Sequence, residues 1–202
     1  MIRFPRLAPL LLGVWLGASI LADVAVTQNF QAVDRFLEAP GNPGTSAELN
    51  AIGRARERVI LRRNAAEENN WIFLNWERAQ LAIGVGLFML LLFGDRPQKS
   101  MLALSLAMLA IVAAEHFLLT PRIAELGRIV DDLPATDSRY RTFWMLHGLY
   151  SGLDILKMLA MFGLGMLLAT GRKADRELFA TAAVPERKVK QRQLKPRQLK
   201  HG

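Results

Sequence analysis

Cysteine is absent from the 202-residue chain, which excludes disulfides, thiolate metal ligands and a cysteine nucleophile. Common catalytic signatures are missing too: there is no His-x-x-x-His, no Gly-x-Ser-x-Gly and no phosphate-binding glycine loop. What is abundant is apolar. Hydrophobic residues make up 51% of the chain, with a mean hydropathy of +0.18 and a formal net charge of +8, and they gather into long uncharged runs beside highly charged stretches. Each run approaches the roughly 20 residues that cross about 30 Å of hydrocarbon. That pattern describes a polytopic membrane protein rather than a globular core, and the composition excludes collagen-like, disulfide-scaffold and disordered classes.

Four spans are expected, at about residues 7–26, 71–93, 101–119 and 143–169, giving an all-α, integral membrane four-helix transmembrane bundle over residues 1–171. The first run follows Arg3 and Arg6 and reads as an uncleaved helix, because the small residues near its end make a poor cleavage site: Ile20 and Asp23 stand where small residues are required. Gly94, Asp95 and Pro97 break the chain after the second span, Thr120-Pro121 opens a short helix after the third, and Gly171 is expected to close the fourth. Spans two and three, joined by a short turn, are antiparallel neighbours.

Charge placement sets the orientation. The N-terminus, the short turn and the tail carry 14 basic residues against four acidic, whereas the two long loops carry ten of each. Both termini are therefore expected inside a bacterial-type inner or plasma membrane, with the long loops outside. Trp71, Trp76 and Trp144 then fall toward the outer interface as an aromatic belt, while Trp15 sits in mid-span.

The first long loop contains the capping-box pattern Thr45-Ser46-Ala47-Glu48. It opens an amphipathic helix at about 46–66, lying on the membrane or a partner, or forming part of a solvated cap. The turn cluster 39–44 is expected to end any extension of the first span. Residues 172–202 read as a disordered basic tail. Its Arg187, Lys188, Lys190, Arg192, Lys195, Arg197 and Lys200 have no aromatic residue among them, so anionic lipid headgroups are the expected contact, worth about 1 kcal/mol per basic residue near the surface, and nucleic acid is not.

Ionisable residues inside the spans are the informative feature, since they normally pair or face the bundle interior. They are Asp23, Glu77, Arg78, Glu115, His116, His147, Asp154 and Lys157. Measured from inner basic flanks, Asp23, Glu77, Glu115 and Asp154 lie 17, 19, 16 and 18 residues deep, about 24 to 29 Å at 1.5 Å per residue. One acid per span in one layer predicts a shared polar site near the outer boundary. On span four His147, Ser151, Asp154 and Met158 form a stripe beside Gly148-xxx-Gly152. On span three Ser105, Met108 and Glu115 share a stripe, with His116 about 100° away.

Three readings remain open: a structural ion-pair network in a scaffold or accessory membrane subunit, a metal-ion or proton binding and translocation layer with Glu115, His147 and Asp154 as candidate metal ligands, and an enzyme with Glu or Asp as acid and base or a haem protein using His116 and His147. No cofactor is required. The lipid bilayer is the expected partner, with other membrane protein subunits or a second copy of the chain as alternatives. Met158 and Met161 could offer thioethers to copper(I), but methionine is ordinary filler in apolar helices.

Three segments, Trp71 to Gly84 (WIFLNWERAQLAIG), Thr120-Pro121-Arg122-Ile123 and Phe143 to Gly148 (FWMLHG), together with the four-span layout, make the chain similar to the transmembrane protein 205-like family (domain of unknown function 4149). The resemblance covers roughly residues 7–168. It implies a four-helix membrane bundle without established enzymatic activity, in a family whose best-known member is associated with metal-drug resistance and whose architecture is similar to copper-resistance membrane domains. His147 and Pro121-Arg122 are the matching positions. The charged segment Asn64 to Asn70 (NAAEENN) departs from the more apolar connection expected of the family.

Overall fold

A computed structural model describes residues 7–39, 44, 47, 53–94 and 98–193, with the backbone alone at 54, 55 and 171–193. Among the described residues every regular element is helical: α1 (Leu7–Glu38), α2 (Arg54–Leu92), α3 (Lys99–Ala114), a π-turn (Glu115–Leu119), α4 (Thr120–Gly127), a 3-10 turn (Val130–Asp132) and α5 (Ser138–Gln193). Three stretches are long and apolar enough to cross a membrane: Leu7–Glu38, Lys99–Gly127 and Ser138–Thr170. The apolar half of α2 is interrupted by Asn75, Glu77, Arg78 and Gln80, which dilute its hydropathy.

Antiparallel pairing of α1 with α2 can be followed by its side-chain bonds. Trp15 Nε1 donates to Gln80 Oε1 at 3.0 Å, Asn29 Nδ2 donates to Asn69 Oδ1 at 2.7 Å, and Arg58 meets Asp34 at 2.8 Å. At about 1.5 Å per residue both helices exceed the roughly 30 Å hydrocarbon thickness. The distal half of each, residues 27–38 and 54–70, forms a two-helix hairpin at one end of the bundle.

Two expectations change accordingly. The first helix does not stop near residue 26, because Val26, Phe30, Val33 and Leu37 continue the helical spacing and are half-buried on the face toward α2. Nor is the 46–66 segment a separate amphipathic helix on the membrane surface: from Arg54 onward it is the first part of α2, continuous with the expected second span. Its start is set by Gly53, whose φ of 87° is readily adopted only by glycine. The capping box at Thr45, Ser46 and Glu48 lies outside the described residues, as do Arg3, Arg6, Asp95 and Pro97.

The fourth expected span also runs on. Gly171 does not close α5, which continues as helix to Gln193, so the expected disorder of the tail is corrected to that point. One interior glycine costs a helix only about 1 kcal/mol, and Arg172 to Gln193 is rich in helix-favouring Ala, Arg, Lys, Glu and Gln. Lys195, Arg197 and Lys200 lie outside the described residues.

Around one axis, α1, α2, α3 and α5 bury Leu12, Trp15, Leu87, Leu91, Met101, Met108, Val112, Met161 and Leu164. Met161 is thus a core residue. The close approach in the bundle occurs at Gly84, where an added Cβ would stand 2.8 Å from Leu109 Cδ2 and 2.8 Å from Trp15 Cη2. By contrast, an added Cβ at Gly148 or Gly152 meets nothing within 4 Å, so the Gly-xxx-Gly of α5 mediates no packing within the described chain.

Candidate functional site

The inward seam of α5 is Tyr150, Asp154, Lys157, Met161 and Leu164, recurring at the three- and four-residue steps of a helix face. Lys157 is its centre. The side chain is fully buried, with its ammonium 3.0 Å from Glu115 Oε2 and in contact with Asp154 Oδ1 one turn away. A charge sequestered this way persists only when opposite charges meet it, because desolvation costs several kcal/mol per ion.

Glu115 enters from α3, whose seam is Met101, Ser105, Met108 and Val112. It also begins the π-turn, and the physical cause lies six residues downstream. Pro121 has no N–H and its ring crowds the carbonyl four residues back, so the helix widens: the Thr120 N–H bonds to the Glu115 carbonyl, five residues away. The wider turn lets consecutive residues both reach inward. Glu115 meets Lys157 of α5, while His116 places Nδ1 2.9 Å from Glu77 Oε2 on α2. His116 therefore belongs to the network, despite the 100° offset expected from an ideal helix.

Glu77 is the second hub, with its side chain fully buried. Besides His116, it accepts the Thr120 hydroxyl and the Tyr150 hydroxyl at 3.1 Å. Three converging donors suit a carboxylate, which is acceptor-only when ionised. Asp23 of α1 is half-buried. Glu115 and Asp154 thus meet at Lys157, and Glu77 is tied through His116 to the π-turn that Glu115 begins.

Two expected members do not join them. Arg78 is on the exposed face of α2. His147 is also exposed; its ring stacks on Phe143 with centroids 5.9 Å apart and meets Trp144 edge-on. At that height α1 packs on α2, where Asn69 Nδ2 donates to the Val26 carbonyl, leaving this part of α5 uncovered. Glu115, His147 and Asp154 consequently do not form a common metal site, and among the described residues no three His, Asp or Glu side chains gather as metal ligands. His116 and His147 likewise point to different places, which removes the paired haem ligation they suggested.

Thr120 and Tyr150 were missed in the sequence, although Tyr150 stands one helical turn before Asp154 and Thr120 directly precedes Pro121. The Trp15–Gln80 bond was missed as well, and it accounts for a tryptophan in mid-span. Trp71 and Trp144 are 68% and 52% exposed, as interfacial rings would be, whereas Trp76 packs against the core.

Outside the apolar layer, the hairpin is tied by surface ion pairs. Arg58 and Arg62 flank Asp34, Arg62 lies 5.6 Å over the Phe30 ring, Arg63 meets Asp132, and Arg128 meets Glu67 at 3.0 Å. The hydrogen bond from Arg58 holds the Asp34 carboxyl below the ordinary aspartate range, and Arg139 does the same to Asp137. A carboxyl lowered in the folded state contributes stability above its unfolded value and loses it as pH falls through the folded one. Acidification through the folded-state value is therefore expected to raise amide hydrogen exchange in residues 30–38 and 56–63. Equal exchange at neutral and acid pH would contradict this.

No protein-family model, curated protein or solved structure matches the chain.

Proposed function

We propose that the protein is a non-enzymatic integral membrane protein that crosses the bilayer four times, with α2 supplying the fourth crossing, and that it acts as a scaffold or accessory subunit of a membrane assembly. The observation that carries this reading is the position of Lys157. Its ammonium occupies the centre of the carboxylate layer, where a bound metal would otherwise sit, and joins the two helices bearing Glu115 and Asp154. Such a centre specifies how helices pack. The resemblance to the transmembrane protein 205-like family supports the same architecture, and the Lys and Arg distribution supports N-in/C-in topology in a bacterial-type inner membrane, with the basic tail against anionic headgroups.

An accessory role is supported by the α5 face that the chain leaves uncovered. Gly148 and Gly152 are open there beside exposed His147, Leu149 and Ser151, and small residues with interspersed polar groups are what a neighbouring helix uses in a membrane. Native mass spectrometry of the protein, extracted gently from its own membrane at natural abundance, tests the reading. The expected spectrum is the chain with lipid, or the chain held to another subunit or a second copy. A retained metal or haem mass would contradict it.

A further inference from the structure

One face of α2 is left uncovered by the rest of the described chain. Its outer half is polar: Glu68, Trp71, Asn75 and Arg78 follow one another at three- and four-residue steps, and all are exposed. Its inner half is apolar: Ala82, Val85, Met89 and Leu92 continue the same steps and are exposed as well. Arg78 stands out on this face. Among the described residues its guanidinium forms no ion pair or hydrogen bond, whereas the ammonium of Lys157 is held by two carboxylates. The adjoining Glu77 is turned inward to His116, Thr120 and Tyr150. Asn75, one turn away, donates its amide to the Trp71 carbonyl at 2.8 Å.

We propose that this face of α2 binds one phospholipid from the leaflet on the hairpin side, with the lipid phosphate on Arg78 and an acyl chain along Ala82, Val85, Met89 and Leu92. The inference rests on the reading in which α2 crosses the bilayer, and it names a ligand for that crossing.

Depth and direction both fit a lipid. Trp71 has the exposure of an interfacial ring, and Arg78 lies seven residues further in, about 10 Å at 1.5 Å per residue. A bare guanidinium at that depth is costly, and a long basic side chain so placed extends back to the interface. Helical side chains lean toward the N-terminus of their own helix, which for α2 is the hairpin end, so Arg78 leans toward the headgroups. From Ala82 to Leu92 is ten residues, about 15 Å. That is half of the roughly 30 Å of hydrocarbon, the depth of one leaflet.

The chemistry of the face favours a phosphodiester over a protein partner. A guanidinium offers paired N–H groups to two phosphate oxygens at once. A neighbouring helix bearing a carboxylate would also answer the charge, but helices approach closely in a membrane through small residues. Below Ala82 this face presents Val85, Met89 and Leu92, which suit an acyl tail. Glu68 takes no part: it is ten residues further out than Arg78 and accepts from Asn64 Nδ2 at 3.2 Å. The bound lipid supplies the counter-charge that the chain withholds from Arg78.

Native mass spectrometry of the full chain, released from nanodiscs of phosphatidylethanolamine, phosphatidylglycerol and a phosphate-free glycolipid in equal parts, reads the occupancy. Wild type is expected to retain one phospholipid of either kind in preference to the glycolipid. Arg78→Gln should lower that retention roughly tenfold or more, the weight of a charge-assisted hydrogen bond. Arg78→Lys, which keeps the charge without the fork, should fall between, and Arg56→Gln, exposed on the hairpin, should change nothing. As a second readout, a phospholipid carrying a diazirine at mid-chain should cross-link wild type at Val85 and Met89 in excess over Leu159 and Phe162 of α5, although the latter pair is more exposed. That excess should disappear in Arg78→Gln. Glycolipid retained as well as phospholipid, or retention and cross-linking both unchanged by Arg78→Gln, overturns the site and leaves the crossing of α2 intact. No cross-linking at Val85 or Met89 in either protein overturns the crossing, and the site with it. A protein subunit held by wild type and lost from Arg78→Gln also overturns the proposal, assigning the face to a carboxylate-bearing helix.

Discussion

Replacing Lys157 with methionine is expected to destabilise the bundle by about 3–5 kcal/mol, the usual cost of removing one partner from a buried ion pair. Methionine keeps the unbranched length of the side chain but leaves Glu115 and Asp154 facing one another without a cation. Much of the loss belongs to those stranded carboxylates rather than to the missing bond. Adding Glu115→Gln and Asp154→Asn should therefore recover most of it, because a fully neutral cluster removes the desolvation penalty that the ammonium offsets. Reversible unfolding in mixed micelles, carried out on the single and combined variants, reads the difference. If the triple variant is as unstable as the single one, Lys157 acts through packing alone.

An effect of similar size is expected at the opposite side of the layer. Trp15 is completely buried, and its indole N–H is bonded to Gln80. Truncation to alanine opens a cavity against Gly84 and Leu109 and strands the Gln80 carbonyl, for a loss of about 3–5 kcal/mol. Trp71→Ala is the natural control: that ring is 68% exposed, and its removal should change stability by no more than about 0.5 kcal/mol. The comparison also reports on α1 itself. A first helix removed as a signal peptide would take Trp15 with it, and the mature protein would be indifferent to the Trp15 substitution.

The layer was legible because depth along a helix is linear in residue number. Distances to basic flanks put Asp23, Glu77, Glu115 and Asp154 at one height, and of these Glu115 and Asp154 share Lys157 while Glu77 pairs with His116 of the same π-turn. What could not be read was which direction each helix faces at that height. His147 lies two turns from Asp154 on nearly the same face of an ideal helix, yet it is exposed because α1 has by then turned its contacts to α2. Arg78 adjoins Glu77 and is carried off the inward seam onto an exposed face by the 100° step. His116 illustrates the reverse error, since an ideal helix turns it away and the π-turn before Pro121 brings it back.

Helix ends were harder than helix interiors. The polar loop after the first span was legible as helical and amphipathic, but its fusion to α2 was not, because Asn64, Asn69 and Asn70 look like breakers while Asn69 is in fact buried and bonded to Asn29 and to the Val26 carbonyl. Gly171 suggests a stop by residue type alone, yet α5 continues through it to Gln193. Neither a glycine nor scattered asparagines need end a helix when the residues that follow have good helix propensity.

Whether α2 crosses the bilayer decides the account most directly, and the absence of cysteine makes the measurement clean. Single cysteines at Glu68 and at Ser100, both exposed positions on either side of the apolar half of α2, can be labelled in sealed vesicles with a reagent that does not cross membranes. The account predicts labelling of Glu68→Cys only from the face that bears the α1–α2 hairpin and of Ser100→Cys only from the opposite face. Labelling of both from one face would contradict it.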